Sequence, residues 1–290
     1  MEELLLAAGA VSVTLQDNED QPILEPGVGE TPLWQSVKLT ALFDNDDQQQ
    51  VLIDRLFQSY CDSGLNQQGI DTHTFSRHIS FEELEDKDWE REWLNHFEPV
   101  RCGERLWICP SWGEPPDKQA INLMLDPGLA FGTGTHETTL LCLQWLDQHR
   151  LTNKNGLDCG CGAGILGIAA LLLGANNVCF VDNDPQALRA TQDNLLKNAV
   201  DASRYSIVAA EEYRSDTQPA FDLVLANILA QPLINLAPIL TQSLKRNGWL
   251  TLSGLQTPQK NSVRQAYQPN ILFAEAAEQN NWLRLSGQRV

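Results

Sequence analysis

A glycine-rich turn between two short apolar strands constrains the fold of this 290-residue chain more than any other feature. The first strand ends at Asp158, an apolar helix follows from Ile165 to Leu173, and a second strand, Val178 to Val181, leads to Asp182. Three glycines lie between the first strand and the helix: Gly160, Gly162 and Gly164. Glycine permits positive φ angles and lets a ligand approach the bare backbone. The pattern predicts a nucleoside site in which Asp182 accepts hydrogen bonds from a ribose.

The residues around this turn distinguish between nucleoside ligands. The third glycine of the dinucleotide fingerprint G-x-G-x-x-G would fall at Ile165 and is missing. Asp158 would repel a pyrophosphate, but it suits a ligand that carries an ammonium group and a sulfonium. The sequence D-x-G-x-G-x-G resembles the cofactor turn of class I S-adenosylmethionine-dependent methyltransferases. The alternative is a glycine-rich turn in another kind of α/β enzyme.

The chain is strongly acidic, with 20 Lys and Arg residues against 38 Asp and Glu residues and a net charge of −18. Nucleic-acid phosphates demand a basic face, so the composition argues against direct binding of nucleic acid. A basic protein partner fits better, because the negative field would accelerate its approach. Solubility alone also explains the charge.

Several features indicate a reducing cytoplasm. The N-terminal sequence MEELLLAAGA lacks the basic region of a signal peptide, and the longest apolar run, near Ile165–Leu173, is too short to span a bilayer. The seven cysteines are scattered and odd in number. Cys159 and Cys161 are separated by one residue, which is the wrong spacing for a zinc knuckle, so we expect no metal site.

Residues 1–80 are predicted to form a small α+β domain. Its elements follow the order αββαβ: Glu2–Ala8, Val11–Leu15, Ser36–Phe43, Gln49–Tyr60 and Thr74–Phe81. This is the order of a ferredoxin-like fold that lacks its leading strand. Residues 81–98 are predicted to form a linker helix, in which Trp89 and Trp93 share one face.

A glycine-rich loop, Leu125–Thr139, precedes the cofactor turn and reads LDPGLAFGTGTHETT. Its composition predicts a lid over a bound ligand, and an ordinary surface loop is the alternative. Thr135 is predicted to cap the N-terminus of a helix that continues to about Gln148.

Residues 99–290 alternate strands and helices in a way that predicts a seven-stranded, mostly parallel sheet. The segment from Leu157 to Asp182, which contains the glycine turn, is called the cofactor unit. The other predicted strands are Arg105–Trp112, Tyr205–Ala209, Phe221–Ala226, Trp249–Ser253, Ile271–Ala274 and Trp282–Leu285. The predicted helices are Pro185–Ala199, Pro232–Leu244 and Pro258–Tyr267. In the helix that starts at Pro185, Leu188, Leu195 and Ala199 are predicted to face inward. The continuous apolar strand FDLVLA ends at Asn227. Asn227 is therefore predicted to lie at the carboxyl ends of the parallel strands, which is where such sheets bind ligands.

Four blocks of the sequence, LDPGLAFGTGTHETT, LDCGCGAGILGIAAL, VDNDPQA and LANILAQPL, together resemble the PrmA family, the methyltransferases that modify protein eleven of the large ribosomal subunit. The resemblance implies a Rossmann-like class I catalytic domain and a small N-terminal domain that recognises the substrate. The implied activity is methyl transfer from S-adenosyl-L-methionine to lysine ε-amines and the N-terminal α-amine of that basic ribosomal protein. We expect a cytoplasmic monomer that contacts neither nucleic acid nor membrane.

The resemblance also implies the site residues. The expected cofactor contacts are Thr139, Gly160, Asp182 and Asn227, and Asn227 is also the expected catalytic residue. A Thr139 hydroxyl suits the methionine moiety, and the side-chain oxygen of Asn227 suits an incoming amine. His136 lies near these residues in the sequence, either as a general base or in a structural role.

Three other functions stay open at this point. The first is methylation of a nucleobase amine or a small-molecule amine. The second is a nucleotide-dependent oxidoreductase, which Ile165 and Asp158 disfavour. The third is a non-enzymatic binding module, which the presence of Asp182 and Asn227 disfavours.

Overall fold

The chain folds into two units, residues 1–87 and residues 88–290. The structure, a computed structural model, describes residues 1–19, 31–44, 49–67, 69–84, 98–126, 134, 136–213 and 220–290. Most of the predicted linker helix, residues 85–97, lies outside the described residues. The division into a recognition domain, a linker and a catalytic domain therefore stays a prediction.

The N-terminal unit contains a two-stranded antiparallel sheet and three helices in its described residues. In chain order these elements are α1 (Glu2–Ala7), β1 (Ser12–Asp17), β2 (Val37–Leu42), α2 (Gln49–Asp62) and α3 (Thr72–Ser76). A small core holds them together, made by Ala8, Leu52, Leu56 and Phe75. The first four elements confirm the predicted helices and strands to within two residues.

The predicted strand Thr74–Phe81 is wrong, because this segment begins with helix α3. Asp71 caps that helix, and its Oδ1 accepts a hydrogen bond from the Thr74 N–H at 2.7 Å. Phe75 then turns into the small core, with its ring 5.5 Å from that of Phe57 and 5.2 Å from that of Tyr60. The observed order is αββαα, so the described residues do not supply the third strand that the ferredoxin-like interpretation used.

A small three-stranded sheet opens the second unit. It consists of β3 (Val100–Arg101), β4 (Leu106–Cys109) and β5 (Ile121–Met124), with β4 antiparallel to β3 and parallel to β5. The predicted strand Arg105–Trp112 corresponds to β4. The other two strands were not predicted: β3 has only two residues, and β5 was missed although it is as long as β4.

The main sheet contains eight strands in the described residues. They are β6 (Asn155–Cys159), β7 (Asn177–Asp182), β8 (Tyr205–Ala209), β9 (Phe221–Asn227), β10 (Leu244–Gln256), β11 (Ile271–Phe273), β12 (Ala277–Gln279) and β13 (Trp282–Arg289). Seven follow the order β11-β13-β10-β9-β6-β7-β8, and β12 pairs with β13. The five strands from β10 to β8 are parallel, whereas β13 is antiparallel to β10 and to β11. The predicted seven-stranded, mostly parallel sheet is confirmed, with β12 as an addition.

Helices cover both faces of this sheet. They are α4 (Glu137–Gln148), α5 (Ile165–Leu172), α6 (Pro185–Lys197), α7 (Ala230–Ser243) and α8 (Lys260–Tyr267). On β9, Leu223 and Leu225 belong to the core shared with α4, α5 and α6, while Val224 and Ala226 belong to the core shared with α7 and α8. Burial on both faces explains why β9 reads as a continuous apolar run. None of the described helices combines the length and the apolar character needed to cross a lipid bilayer.

One inward-facing position in α6 was predicted incorrectly. Leu195 is fully buried, as expected, but Ala199 is exposed and has a φ of +51°. The helix ends at Lys197, two residues before the predicted end. Ala199 therefore belongs to the turn that follows the helix and not to its apolar face.

Candidate active site

The carboxyl ends of β6, β7 and β9 carry three of the predicted site residues. From β6 the chain passes outward through β7 and β8 and then returns to the other side of β6 as β9. The strand order reverses between β6 and β9, which is where open α/β sheets bind ligands. Gly160 follows β6, Asp182 ends β7 and Asn227 ends β9. The fold thus places these residues along one edge of the sheet.

The turn after β6 depends on glycine at position 160. Gly160 has a φ of +70°, a backbone conformation that residues other than glycine rarely adopt. The N–H groups of Gly160 and Cys161 both donate to the Val181 carbonyl, at 2.8 and 3.1 Å, and so fix the turn to β7. A Cβ on Gly160 would lie only 2.3 Å from Cγ2 of Ile228. Both the backbone angle and the available space therefore require glycine.

Two buried polar residues of α6 support the same turn, and sequence reasoning missed them. The Thr191 hydroxyl donates to the Gly162 carbonyl at 2.8 Å. The Asn194 Nδ2 donates to the Ala163 carbonyl at 2.9 Å. Their positions in the sequence could have identified them, because both lie on the face of α6 that also buries Leu195. Polar residues on a buried helix face need partners, and here the partners are the carbonyls of the glycine turn.

The Asp182 carboxylate joins the tip of β7 to the glycine turn. Its Oδ2 accepts from the Gly162 N–H at 2.9 Å, and its Oδ1 accepts from the Asp184 N–H at 3.0 Å. An ionised carboxylate offers about four acceptor sites, so these two bonds leave capacity for other donors. The side chain remains partly exposed at the sheet edge. It can therefore accept hydrogen bonds from the hydroxyls of a ligand.

Thr139 and Asn227 contact one another directly. Thr139 lies in the first turn of α4, its side chain is only 1% exposed, and its Oγ1 accepts from the Asn227 Nδ2 at 3.3 Å. This bond fixes which end of the Asn227 amide faces the helix, and it leaves the Asn227 oxygen available as an acceptor. Thr139 thus joins the three strand-end residues at the site, through Asn227.

His136 caps α4, whereas Thr135 had been predicted as the cap. The His136 Nδ1 accepts from the Thr138 N–H at 3.3 Å and lies 2.8 Å from the Thr138 hydroxyl. Its ring makes a T-shaped contact with the Trp282 ring, with 5.0 Å between ring centroids. An unprotonated imidazole nitrogen accepts from the backbone as a Ser or Asp oxygen does, so the cap prediction was wrong by one residue. Most of the predicted lid, residues 127–133 and 135, lies outside the described residues.

Asp158 is a buried carboxyl beneath the turn, with 1% of its surface exposed. Its Oδ2 accepts from the Gly167 N–H at 2.8 Å. Burial raises the pKa of Asp158 to about 7; the Gly167 hydrogen bond opposes this rise in pKa, and the negative charge of Asp182 adds to it. Near neutral pH this carboxyl exchanges between its protonated and ionised forms, which makes the charge beneath the turn sensitive to pH.

Cys159 and Cys161, which interrupt the turn, are free thiols. Burial raises the pKa of Cys159 to about 12, and it raises the pKa of Cys161 in the same direction. Both are therefore protonated at neutral pH, whereas a nucleophilic or metal-ligating cysteine must be a thiolate. In the described part of the chain, no three His, Cys, Asp or Glu side chains are grouped to hold a metal ion.

Comparison with known proteins identifies the family. The family model "Ribosomal protein L11 methyltransferase (PrmA)" matches residues 1–290. The chain belongs to this family. A ribosomal protein L11 methyltransferase from Cellvibrio japonicus is 52% identical over 291 residues, covering 99% of this chain and 92% of the relative. Another, from Teredinibacter turnerae, is 47% identical over 291 residues, covering 100% of this chain and 92% of the relative.

A solved structure agrees with this assignment. The crystal structure of a ribosomal protein L11 methylase from Lactobacillus delbrueckii subsp. bulgaricus is similar with a TM-score of 0.58 and 31% sequence identity, and it covers 67% of this chain and 99% of the other. Membership of the L11 methyltransferase family confirms the predicted fold class and identifies the chain as a methyltransferase. The alternatives of a nucleotide-dependent oxidoreductase and a non-enzymatic module are thereby set aside.

The role of Thr139 in this family member can be tested with two variants, one that removes the hydroxyl and one that keeps it. Thr139→Val is close in shape but removes the hydroxyl that accepts a hydrogen bond from the Asn227 Nδ2. That donor then loses its partner. We expect kcat to fall by roughly tenfold, equivalent to about 1.4 kcal/mol, with little change in cofactor affinity. Thr139→Ser keeps the hydroxyl and should restore most of the rate. A loss of cofactor affinity at unchanged kcat would instead indicate the direct contact with the methionine moiety that the sequence predicted.

The buried Asp158 predicts a particular pH dependence of stability. Its pKa of about 7 in the folded chain exceeds the ordinary value of 3.8, so the folded state binds the proton more tightly. The stability that this proton contributes is complete below about pH 4 and is lost as pH rises through 7. Asp158→Asn removes the effect, so the variant should gain roughly 4 kcal/mol relative to the unmodified chain between pH 4 and pH 8. Denaturant unfolding of both proteins across that range tests this, and parallel stability curves would contradict it.

Proposed function

We propose that this enzyme transfers methyl groups from S-adenosyl-L-methionine to lysine ε-amines and the N-terminal α-amine of ribosomal protein L11, in the cytoplasm. The observation that carries the proposal is the family match over residues 1–290, with relatives whose names include that substrate. The net charge of −18 supports a basic protein as the substrate. The N-terminal unit is proposed to recognise L11.

The described residues fit an adenosine-bearing sulfonium cofactor. Asp182 retains acceptor capacity for the ribose hydroxyls, beyond its bonds to the Gly162 and Asp184 N–H groups. Asp158 adds a buried carboxyl beneath the turn, and its ionised form suits a cationic ligand better than a diphosphate. When bound, the cofactor supplies an electrophilic methyl group on a positively charged sulfur.

The chain must also present a neutral, aligned amine. A lysine with a pKa of about 10.4 is neutral in roughly one molecule in 2,500 at pH 7, which corresponds to about 4.6 kcal/mol. We propose that desolvation at the sheet edge lowers the pKa of the substrate lysine and that the Asn227 oxygen accepts a hydrogen bond from its nitrogen. Thr139 holds the other end of the Asn227 amide, so the oxygen keeps a fixed direction.

His136 is not required as a general base in this scheme. Its Nδ1 is hydrogen-bonded to Thr138, and its ring packs against that of Trp282. These contacts give His136 a structural role at the start of α4. In this scheme, orientation of the amine by Asn227 and Thr139 accounts for most of the rate acceleration that the protein contributes.

Transfer of a labelled methyl group tests the proposed function. The enzyme is incubated with labelled S-adenosylmethionine and either purified L11 or protein-free ribosomal RNA. We expect label in L11, located on amines by mass spectrometry, and none in L11 whose amines have been acetylated beforehand. Label in the RNA alone would favour the nucleobase alternative. Cofactor binding with no transfer to L11 would contradict the proposed substrate.

A further inference from the structure

Strand β10 contains a bulge beside the end of β9. Leu252 pairs with Leu285 and Leu255 with Leu283, so three residue steps on β10 match two on β13. The additional residue falls at Ser253 and Gly254, and Gly254 has a φ of +86°. In the parallel pairing on the other side of β10, Ser253 is the partner of Asn227. The bulge is therefore adjacent to the residue that ends β9 at the active site.

The bare backbone of Gly254 is closely packed against the peptide that follows Asn227. A Cβ on Gly254 would lie 2.3 Å from the oxygen, 2.7 Å from the carbonyl carbon and 3.0 Å from the nitrogen of Ile228. All three are main-chain atoms, so no change of rotamer could relieve the overlap. On the opposite side, Cγ2 of Ile228 fills the space where a Cβ of Gly160 would project. Ile228 is thus held between two glycines, with its main chain against Gly254 and its side chain against Gly160.

We propose that Gly254 is a positioning residue for methyl transfer. The bulge brings the main chain of β10 against the Ile228 peptide and so fixes the direction of the Asn227 side chain. This inference rests on the proposed role of Asn227 in orienting the amine. Bulges redirect side chains near active sites in many sheets, and a shift of about 1 Å in a positioning group can reduce the rate by about 100-fold.

A buried hydrogen bond keeps the bulge in place. The Ser253 hydroxyl donates to the Leu283 carbonyl on β13 at 2.8 Å, and its side chain is fully buried. This bond satisfies a carbonyl next to the point where the bulge interrupts the regular ladder. Ser253 and Gly254 therefore act together, one by anchoring the bulge and the other by allowing the close approach to Ile228.

The test compares two glycine-to-alanine variants, both at a positive φ, that differ in the space around the new Cβ. Gly254→Ala adds a Cβ against the Ile228 backbone. Gly174→Ala is the matched control, because Gly174 has a φ of +109° but its nearest neighbouring atom would be 3.7 Å from the added Cβ. We expect Gly254→Ala to lower kcat by about 10- to 100-fold, with cofactor affinity changed no more than in the control. Its melting temperature should fall further than that of the control, because the added Cβ overlaps main-chain atoms.

Other outcomes would overturn the inference. A kcat for Gly254→Ala within threefold of the unmodified enzyme, or losses in stability, cofactor affinity and kcat that match those of Gly174→Ala, would assign Gly254 a purely structural role. If Gly254→Ala fails to fold, Ser253→Ala loosens the bulge without adding atoms. A reduced kcat at unchanged cofactor affinity in that variant supports the inference, and an unchanged kcat overturns it.

Asn227→Ala separates this inference from the proposed function. If Asn227→Ala keeps its full rate, the proposed role of Asn227 fails, and positioning through it fails as well. If Asn227→Ala is slow and Gly254→Ala is fast, only the inference about Gly254 fails. The transfer of label to L11 in the unmodified enzyme is unaffected by either result.

Discussion

Replacing Asn227 by alanine should lower kcat for methyl transfer by about 100- to 1,000-fold, the range found when a single aligned hydrogen-bonding group is removed from a reacting centre. Asn227 ends β9 at the reversal of strand order, and its Nδ2 is held by the Thr139 hydroxyl at 3.3 Å. The oxygen of the same amide is then the group available to align the incoming amine. Without it the amine can bind in many orientations, few of which place the nitrogen in line with the methyl group.

Single-turnover transfer to L11, together with calorimetric titration of the cofactor, measures this effect. Asn227→Asp has nearly the same shape and keeps an oxygen acceptor, but it loses the amide donor that contacts Thr139, so an intermediate rate is expected. Asn235→Ala is a control on the exposed surface of α7 and should keep the full rate. A rate for Asn227→Ala within threefold of the unmodified enzyme would exclude the proposed role.

Most of the cofactor unit was predictable because its determinants are close together in the sequence. The strand that ends near Asp158, the glycines after it and the apolar helix from Ile165 constrain one another within about twenty residues. The positions of Asp182 and Asn227 then followed from the rule that parallel strands present their carboxyl ends at one edge. Neither position required knowledge of contacts between distant segments.

The features that were not predicted depend on contacts between distant segments or on ambiguous local patterns. Gly254 appears in the sequence only as a glycine beside an apolar strand, and its significance arises from the Ile228 peptide, which follows another strand. The contact between Thr139 and Asn227 depends on how α4 is rotated against the sheet. The segment from Thr74 to Phe81 is too short to separate helix from strand by periodicity. There the Asp71 cap decided the outcome.

Replacing Asp182 by alanine should raise the Kd of the cofactor by about 100-fold or more. Hydrogen bonds to a charged carboxylate contribute about 1.5 to 3 kcal/mol each, and the ribose is proposed to donate two. The variant also removes the bond from the Gly162 N–H, which loosens the turn that is proposed to approach the cofactor. Because the proposed alignment of the amine rests on Asn227 and not on Asp182, kcat at saturating cofactor should fall much less than affinity.

Asp184→Ala is the matched control for this experiment, since it removes a carboxylate only two residues away. The Asp184 Oδ1 caps α6 by accepting from the Gln186 N–H at 2.8 Å, so its loss should cost about 1 kcal/mol of stability. It should leave cofactor affinity within a few fold, because Asp184 does not hold the glycine turn. Equal losses of affinity in the two variants would mean that general negative charge at the end of β7, and not a specific ribose contact, attracts the cationic ligand. Weakened binding in Asp182→Ala alone, partly recovered in Asp182→Asn, would establish the ribose contact.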